Sequence, residues 1–436
     1  MPSIPIRARA ARAALAAVLA AAALLFLAAC VSSPHEARGG PAAARVPNSS
    51  PPVLLVSIDG FRPDYLELGI TPNLQRLVDG GVRAEWMNPS YPSLTFPNHY
   101  SIVTGLRPDR HGIVHNSMED AGLGVFRLSN REAVGDGRWW GGEPIWVGAH
   151  KAGLPNATLF WPGSEAPVQG VRPDRWKPFD ADMPYETRVD TVLGWLAEPA
   201  ATRPRIATLY FERVDKAGHD HGPDSPETRA AVAEADAAIG RLLDGLQARD
   251  LLDAVNLIVV SDHGMAATRG DQAIAVEDIV SMQDGKVVSY GQSVGIEPMP
   301  GRAGEVERRL VERSAGRHEH YQCWRKQELP ARWHYGRNPR VPSIICQMDE
   351  GWDAIPAEYI ERRRTAGTRG SHGYDPALPS MRALFVAHGP AFRDGVTVPP
   401  FENVDVYPLL ARLVGIVPAE NDGDIAPLLP ALESEE

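Results

Sequence analysis

The chain has 436 residues and a formal net charge of −11, an acidic balance that argues against binding long nucleic acid, which wants basic stripes. It does not exclude a small anionic substrate held through metal ions. No internal repeat of about 20–50 residues is visible, so nothing suggests a solenoid or propeller.

Residues 1–29 read as a signal peptide. Arg7, Arg9 and Arg12 form a positive n-region, and Ala13–Ala29 is an uncharged apolar h-region. The segment ends Leu27-Ala28-Ala29-Cys30, which resembles a bacterial lipobox whose Cys becomes the acylated N-terminus. Residues 31–51, rich in Ser, Pro, Ala and Gly, read as a flexible tether. The expectation is an extracytoplasmic, periplasmic protein, lipid-anchored to the membrane at Cys30, with its folded domain over 52–430. Without the three signal arginines, 41 basic face 55 acidic residues, a net −14. Cys323 and Cys346 remain, and in an oxidising compartment such a pair is a plausible disulfide, two buried thiols being the alternative.

Apolar strands then alternate with amphipathic segments. Pro52–Ser57 reads as a strand, Thr71–Asp79 as a helix, Val82–Met87 as a short strand and Pro97–Thr104 as a helix. Glu143–Ala152 is amphipathic, Ala157–Phe160 a strand, Tyr185–Leu196 a helix and Arg205–Phe211 a strand. Ser225–Ala248 is the longest helix, with Ser225 as its cap, followed by the strand Leu257–Val260. Between about 270 and 360 the pattern is less regular, with strands at 286–290 and Ile344–Met348 around a helix at Gly301–Arg313. The strand Ala383–Ala387 and helix Val404–Val414 resume the main pattern. This alternation argues for a parallel sheet covered by helices on both faces, with a smaller inserted or capping region.

Ligands of open α/β sheets bind outside the carboxyl ends of the strands. The first strand runs into Asp59-Gly60, and Leu257–Val260 runs into Ser261-Asp262-His263-Gly264. After Ala207–Phe211 come Asp215 and, four residues on, His219, able to face one cation from a helical turn or a tight loop; His221 is an alternative imidazole. Gly370-Ser371-His372-Gly373 precedes the strand near Arg382, its glycines suggesting close backbone approach. Asp59, Asp215, His219, Asp262, His263 and His372 are the N and O donors that two zinc ions want, with positions left open for substrate. A lone Asp after a strand is commonly a helix cap and a lone His a core residue, but four strand-adjacent segments are hard to assign to coincidence. Thr95, just before a helix whose N-terminus favours phosphate, is the candidate nucleophile, and zinc would make its alkoxide accessible. Ser93 is the spare hydroxyl.

These segments, with Pro92-Ser93-Leu94-Thr95-Phe96-Pro97-Asn98-His99 and Gly112-Ile113-Val114-His115-Asn116, resemble the nucleotide pyrophosphatase/phosphodiesterase family of the alkaline phosphatase superfamily. The resemblance spans about residues 52–425 and implies an alkaline-phosphatase-like three-layer α/β/α sandwich. It implies that Asp215, His219 and His372 hold one zinc, and Asp59, Asp262 and His263 the other, with Thr95 on the second. Asn116 would hydrogen-bond a phosphate oxygen together with the Phe96 backbone N–H. His99, one turn after Thr95, reads as a supporting or core histidine.

Thr95 lacks the C/S-x-P-x-R context of a sulfatase nucleophile. The segment Leu159-Phe160-Trp161-Pro162-Gly163-Ser164-Glu165 contains no cation to offset a phosphomonoester dianion, which favours a diester. Phe96, Leu128, Trp161, Phe179 and Tyr210 are the candidate walls for the second substituent, Phe96 and Tyr210 for base stacking. The expected activity is two-zinc hydrolysis of phosphodiester or pyrophosphate bonds of nucleotides through phospho-Thr95, with a small-molecule substrate and no required protein partner. The alternatives are a phosphomonoesterase of the same fold, or a zinc- or nucleotide-binding lipoprotein without turnover.

Overall fold

The computed structural model describes residues 50–315 and 319–434; the expected signal peptide, Cys30 and tether residues 31–49 lie outside them. Its central sheet contains β1 (Val53–Ile58), β2 (Val82–Ala84), β3 (Asn156–Leu159), β4 (Arg175–Trp176), β5 (Ile206–Phe211), β6 (Asn256–Val260), β7 (Phe385–His388) and β8 (Val396–Val398). They are ordered β8-β2-β7-β6-β1-β5-β3-β4. β7 runs antiparallel to both its neighbours, and every other pairing is parallel.

The uncharged runs Val53–Val56 and Leu257–Val260 occupy the middle of this sheet because alternate side chains must be buried on opposite faces. Val53, Leu55, Ile258 and Val260 enter one core, while Leu54, Val56, Leu257 and Val259 enter the other. Burying each of these side chains stabilises the fold by about 1.5–3 kcal/mol relative to exposure. The first core is closed by α1 (Thr95–Thr104) and, near the C-terminus, Val406–Val414. The second is closed by α2 (Tyr185–Leu196) and the long helix Pro226–Gln247, whose cap Ser225 accepts the Thr228 N–H at 3.1 Å. The result is the three-layer α/β/α arrangement expected.

Residues 285–348 build a separate four-stranded antiparallel sheet, in the order Gly285–Ser289, Ser293–Pro298, Ile344–Met348, Tyr321–Arg325. With the helix Ala303–Ser314 it encloses a third core. Cys323 and Cys346 are cross-strand partners there and form a disulfide.

Several boundaries differ from the sequence reading. The expected strand Val82–Met87 divides into Val82–Ala84 and Met87–Asn88, and the helix expected at Pro97 begins at Thr95. Two elements go beyond the sequence reading, which left Asp215–His219 open between a helical turn and a tight loop and assigned no strand at 369–371. α3 (Arg213–His221) is a helix of mostly polar residues, and Arg369–Ser371 is a three-residue strand paired with Ala266–Thr268. Among the described residues, no helix is long and apolar enough to cross a membrane.

Candidate active site

β1 lies between β5 and β6, parallel to both, with Ile58 opposite Phe211 and Ser57 opposite Val260. Their carboxyl ends therefore share one sheet edge. β1 delivers Asp59 to this edge and β6 delivers Asp262-His263. β5 passes through Glu212 into α3, which places Asp215 and His219 one helical turn apart on the same face. His372 follows the strand Arg369–Ser371. Two glycines make this convergence possible. Gly60 turns the chain at φ 69° with Asp215 Cα only 3.0 Å from where a Cβ would stand, and a Cβ on Gly370 would meet the Gly218 carbonyl oxygen at 2.4 Å.

Asp215, His219 and His372 form one cluster. Asp215 Oδ1 is 3.4 Å from Nε2 of each histidine, and the two Nε2 atoms are 3.0 Å apart. Each ring uses its other nitrogen to donate to a backbone carbonyl, His219 Nδ1 to Gly370 and His372 Nδ1 to Ser93, both at 2.9 Å. These donations fix the tautomers and leave two lone pairs facing each other and a carboxylate oxygen that has no donor. The mutual repulsion is relieved by a cation, so this donor set fits a metal ion.

Asp59, Asp262 and His263 are drawn together beside it. His263 Nε2 lies 2.9 Å from Asp262 Oδ2, 3.6 Å from Asp59 Oδ1 and 3.3 Å from the Thr95 hydroxyl, while its Nδ1 donates to the Gly264 carbonyl. Asp59 Oδ1 and Asp262 Oδ2 are buried without a hydrogen-bond partner. Asp59 belongs to two groups of metal-capable atoms, one with Asp215 and His263 and one with His99 and Asp262. His99 is fully buried. Its Nδ1 meets the Thr95 carbonyl at 2.9 Å and Asp262 at 3.2 Å, and its Nε2 meets Ser57 Oγ at 2.8 Å. Both ring nitrogens thus have oxygen partners, in keeping with a supporting histidine.

Burial, followed by the charges of Asp262 and Asp215, pushes the Asp59 carboxyl well above its ordinary pKa, against the pull of a hydrogen bond from Tyr210. For Asp262 burial acts in the same direction, but His263 and His99 outweigh it and hold its pKa well below the usual range. Burial and then the neighbouring rings of His263 and His219 push His372 far down. Three carboxylates in so dry a space want positive charge.

Thr95 is the first residue of α1, and Leu94 before it provides no side-chain cap. The hydroxyl is consequently free of a capping role. Asn116 accepts the Phe96 N–H through Oδ1 at 3.1 Å. The two groups expected to meet a phosphate oxygen together are therefore in contact with each other. The backbone donor is engaged, and its engagement orients the side-chain amide so that Nδ2 is the donor presented. Ser93 is buried, with Oγ donating to the Tyr374 carbonyl, and supports His372 rather than competing with Thr95. His221 is exposed and belongs to no metal-capable group.

A cleft of about 320 Å³ opens from Asp59, Thr95 and Asp215, and Phe96, Leu128, Phe179 and Tyr210 all line it. Phe179 stands 5.9 Å from Tyr210, edge to face, and is 38 % exposed. Trp161 also borders the cleft but is 2 % exposed, and its indole N–H donates to the His99 carbonyl, so it serves mainly as core. The Tyr210 hydroxyl donates to Asp59 Oδ2 at 2.6 Å. The sequence reading missed Arg131 and Lys216 on the rim, since neither lies in the Trp161 segment. Arg131 pairs with Glu165 and Lys216 with Asp220. The cleft therefore contains cations after all, each already matched by a carboxylate.

The family described as type I phosphodiesterase / nucleotide pyrophosphatase matches residues 53–375. Ectonucleotide pyrophosphatase/phosphodiesterase family member 3 of Bos taurus is 38 % identical over 382 residues, covering 86 % of this chain and 43 % of that protein. The chain thus spans less than half the length of this relative. An uncharacterized pyrophosphatase/phosphodiesterase of Schizosaccharomyces pombe is 36 % identical over 392 residues, covering 87 % of this chain and 80 % of that protein. Among solved structures, an inactive threonine-to-alanine variant of murine ectonucleotide pyrophosphatase/phosphodiesterase 5, in complex with AMP, superposes with a TM-score of 0.81 at 32 % identity. The match covers 88 % of this chain and all of the other. With these matches running through every segment that builds the site, the chain belongs to the type I phosphodiesterase / nucleotide pyrophosphatase family.

Proposed function

We propose that this chain hydrolyses phosphodiester or pyrophosphate bonds of nucleotides, with Thr95 as the nucleophile. The observation that carries the reading is the position of Thr95, its hydroxyl 3.3 Å from His263 Nε2 at the mouth of an aromatic cleft of about 320 Å³. Asp215, His219 and His372 would hold one zinc ion, and Asp59, Asp262 and His263 a second, to which Thr95 would also bind. When bound, such ions act as Lewis acids that lower the hydroxyl pKa and neutralise charge on the phosphoryl and leaving oxygens.

The protein's own groups do the positioning. Phe179 and Tyr210 receive the base, and Asn116 Nδ2 donates to a phosphoryl oxygen. Thr95 loses its hydroxyl proton to solvent, and its oxygen bonds to phosphorus as the bond to the leaving oxygen breaks, the electron pair departing with that oxygen. Water then attacks phospho-Thr95, releasing the nucleoside monophosphate and returning Thr95 to its alcohol form. The AMP bound by the murine relative is the product type this scheme yields.

A diester is favoured over a monoester because Arg131 and Lys216 are already paired, which leaves the cleft without a free cation for a dianion. Turnover of p-nitrophenyl thymidine 5′-monophosphate should exceed that of p-nitrophenyl phosphate, and the reverse order would replace this reading with a phosphomonoesterase. Thr95→Ala should reduce diester turnover by about 10³-fold or more while zinc remains bound; full activity in that variant would refute the mechanism. A nucleotide-binding protein without turnover is disfavoured by the Thr95 hydroxyl lining the cleft beside the metal-capable cluster.

The domain over 52–430 is further proposed to work outside the cytoplasm, tethered through an acylated Cys30 and the 31–51 segment. The Cys323–Cys346 disulfide supports an oxidising compartment. Cys30→Ala should release the protein from the membrane fraction.

A further inference from the structure

The loop that leads to Asn116 is held from outside the main sheet. Residues 113–115 belong to no helix or strand and are buried, so their backbone polar groups need partners that no ladder supplies. Just before them, His111 Nδ1 accepts the Ile113 N–H at 3.1 Å. The carbonyls are met by the inserted region. Arg340 Nη1 donates to the Gly112 carbonyl at 2.9 Å, and the Tyr335 hydroxyl donates to the Val114 carbonyl at 2.9 Å. Only glycine permits this approach, since at φ 81° a Cβ on Gly112 would stand 2.8 Å from Arg340 Nη1.

Arg340 grips the chain on both sides of Asn116. Its side chain is 12 % exposed, and its Nε donates to Asp120 Oδ2 at 2.8 Å, beyond Asn116, while Nη1 holds Gly112 before it. Nη1 also donates to the Trp139 carbonyl at 2.7 Å, and the guanidinium lies over the Trp139 ring. A planar fork can serve these acceptors together, which a single ammonium cannot. The same segment, residues 326–343, offers the backbone N–H groups of Gly336, Arg337 and Asn338 to the Asp109 carboxylate. It also stacks Trp333 on Tyr91, with ring centroids 4.0 Å apart, at the start of the stretch that leads to Thr95. The segment leaves and re-enters two paired strands, and the Cys323–Cys346 disulfide closes its base. Fixing both ends of a loop limits the positions it can take.

We propose that residues 326–343 form a strap that positions the phosphoryl site, with Arg340 the positioning residue for Asn116. Arg340 acts by fixing the backbone on either side of Asn116, so that Nδ2, already turned by the Phe96 N–H, meets the phosphoryl oxygen. The inserted sheet, which supplies no candidate metal ligand, thereby takes a part in turnover. The inference rests on the hydrolytic reading above.

The test is a double-mutant cycle on hydrolysis of p-nitrophenyl thymidine 5′-monophosphate, with zinc content measured alongside. Arg340→Met keeps the length of the side chain and its packing on Trp139 but removes every donor. With Asn116 present it should lower kcat about tenfold or more and leave KM within about twofold, because the base is held elsewhere. In the Asn116→Ala background the same substitution should change kcat by less than about twofold. A loss of equal factor in both backgrounds, a loss of zinc, or no loss in either overturns the strap and leaves the hydrolytic reading standing. Wild-type protein inert toward the diester overturns both. Should Arg340→Met fail to fold, Tyr335→Phe removes only the donor to Val114 and is read by the same cycle: a loss that needs Asn116 supports the strap, and a loss that does not, or none, overturns it.

Discussion

The Tyr210 hydroxyl donates to Oδ2 of Asp59 over 2.6 Å, joining the wall of the aromatic cleft to a buried carboxylate whose pKa is pushed well above its ordinary value. One residue thus has two duties, a ring face for the substrate and a hydroxyl that orients a candidate ligand. Burial and the charge of Asp59 push the Tyr210 pKa well above its ordinary value, which keeps the hydroxyl a donor.

Tyr210→Phe separates these duties. The ring stays, so nucleotide affinity should change little, but the loss of the donor removes an influence that lowers the Asp59 pKa. Zinc affinity should fall about 10- to 100-fold. Its pH midpoint should move upward, because binding needs the ionised carboxylate and that form is now harder to reach. Chelator competition at several pH values measures both effects; an unchanged midpoint would mean that the hydrogen bond does not tune Asp59.

Metal removal should destabilise the whole domain as well as stop turnover. Without cations, the unpartnered oxygens of Asp59, Asp215 and Asp262 remain crowded at one sheet edge. Free zinc about a hundredfold above Kd should restore about 2.7 kcal/mol per ion that binds only the folded state. Calorimetric melting with and without chelator checks this, and coincident melting curves would count against a metal site here.

Asn116→Ala removes the side-chain donor that the Phe96 N–H orients. Diester kcat/KM should drop about 10²-fold, the usual scale for one oxyanion donor, with zinc content unchanged. Asn116→Asp should be worse still, since it brings a negative charge to the phosphoryl oxygens. Steady-state kinetics with metal analysis decides the matter, and parallel loss of zinc would reassign Asn116 to structure.

Two buried histidines should make the fold acid-sensitive. Burial pushes His111 down to about 3 and His115 down to about 4. Each is neutral when folded but takes a proton when unfolded below about pH 6.5. The folded pKa is depressed, so this stability is present above the unfolded pKa and lost as pH falls from 6.5 toward the folded value. The slope approaches about 1.4 kcal/mol per pH unit for each group. Urea denaturation of the chelated protein at pH 7.5 and 5 should show a smaller acid loss in His115→Asn than in wild type.

The catalytic edge was legible wherever an uncharged run ends in a ligand-forming residue. Val53–Ile58 before Asp59 and Leu257–Val260 before Asp262-His263 read as central strands because, Ser57 apart, every side chain in them is large and apolar. The paired glycines at Gly370 and Gly373 rightly signalled close approach. Polar segments were harder to read. α3 is mostly polar and its buried face is narrow, Val214, Ala217 and Gly218, and Arg369–Ser371 is too short to show a period. Arg131 reaches the cleft from a segment whose local pattern says nothing of it, and Lys216, although next to Asp215, carries no sign in the sequence of which way its side chain turns.

The sequence by itself determined the layered fold, the family and the residue types able to bind metal, because burial on both faces and ligand chemistry are written residue by residue. Only the tertiary structure decided their partnerships. The Nε2 atoms of His219 and His372 come within 3.0 Å because two distant segments cross at Gly218 and Gly370. Asn116 turns its amide because α1 starts two residues earlier than its apolar pattern suggests, leaving the Phe96 N–H to be satisfied. Such partnerships depend on which chain segments meet, and distance in space is a property that local pattern does not encode.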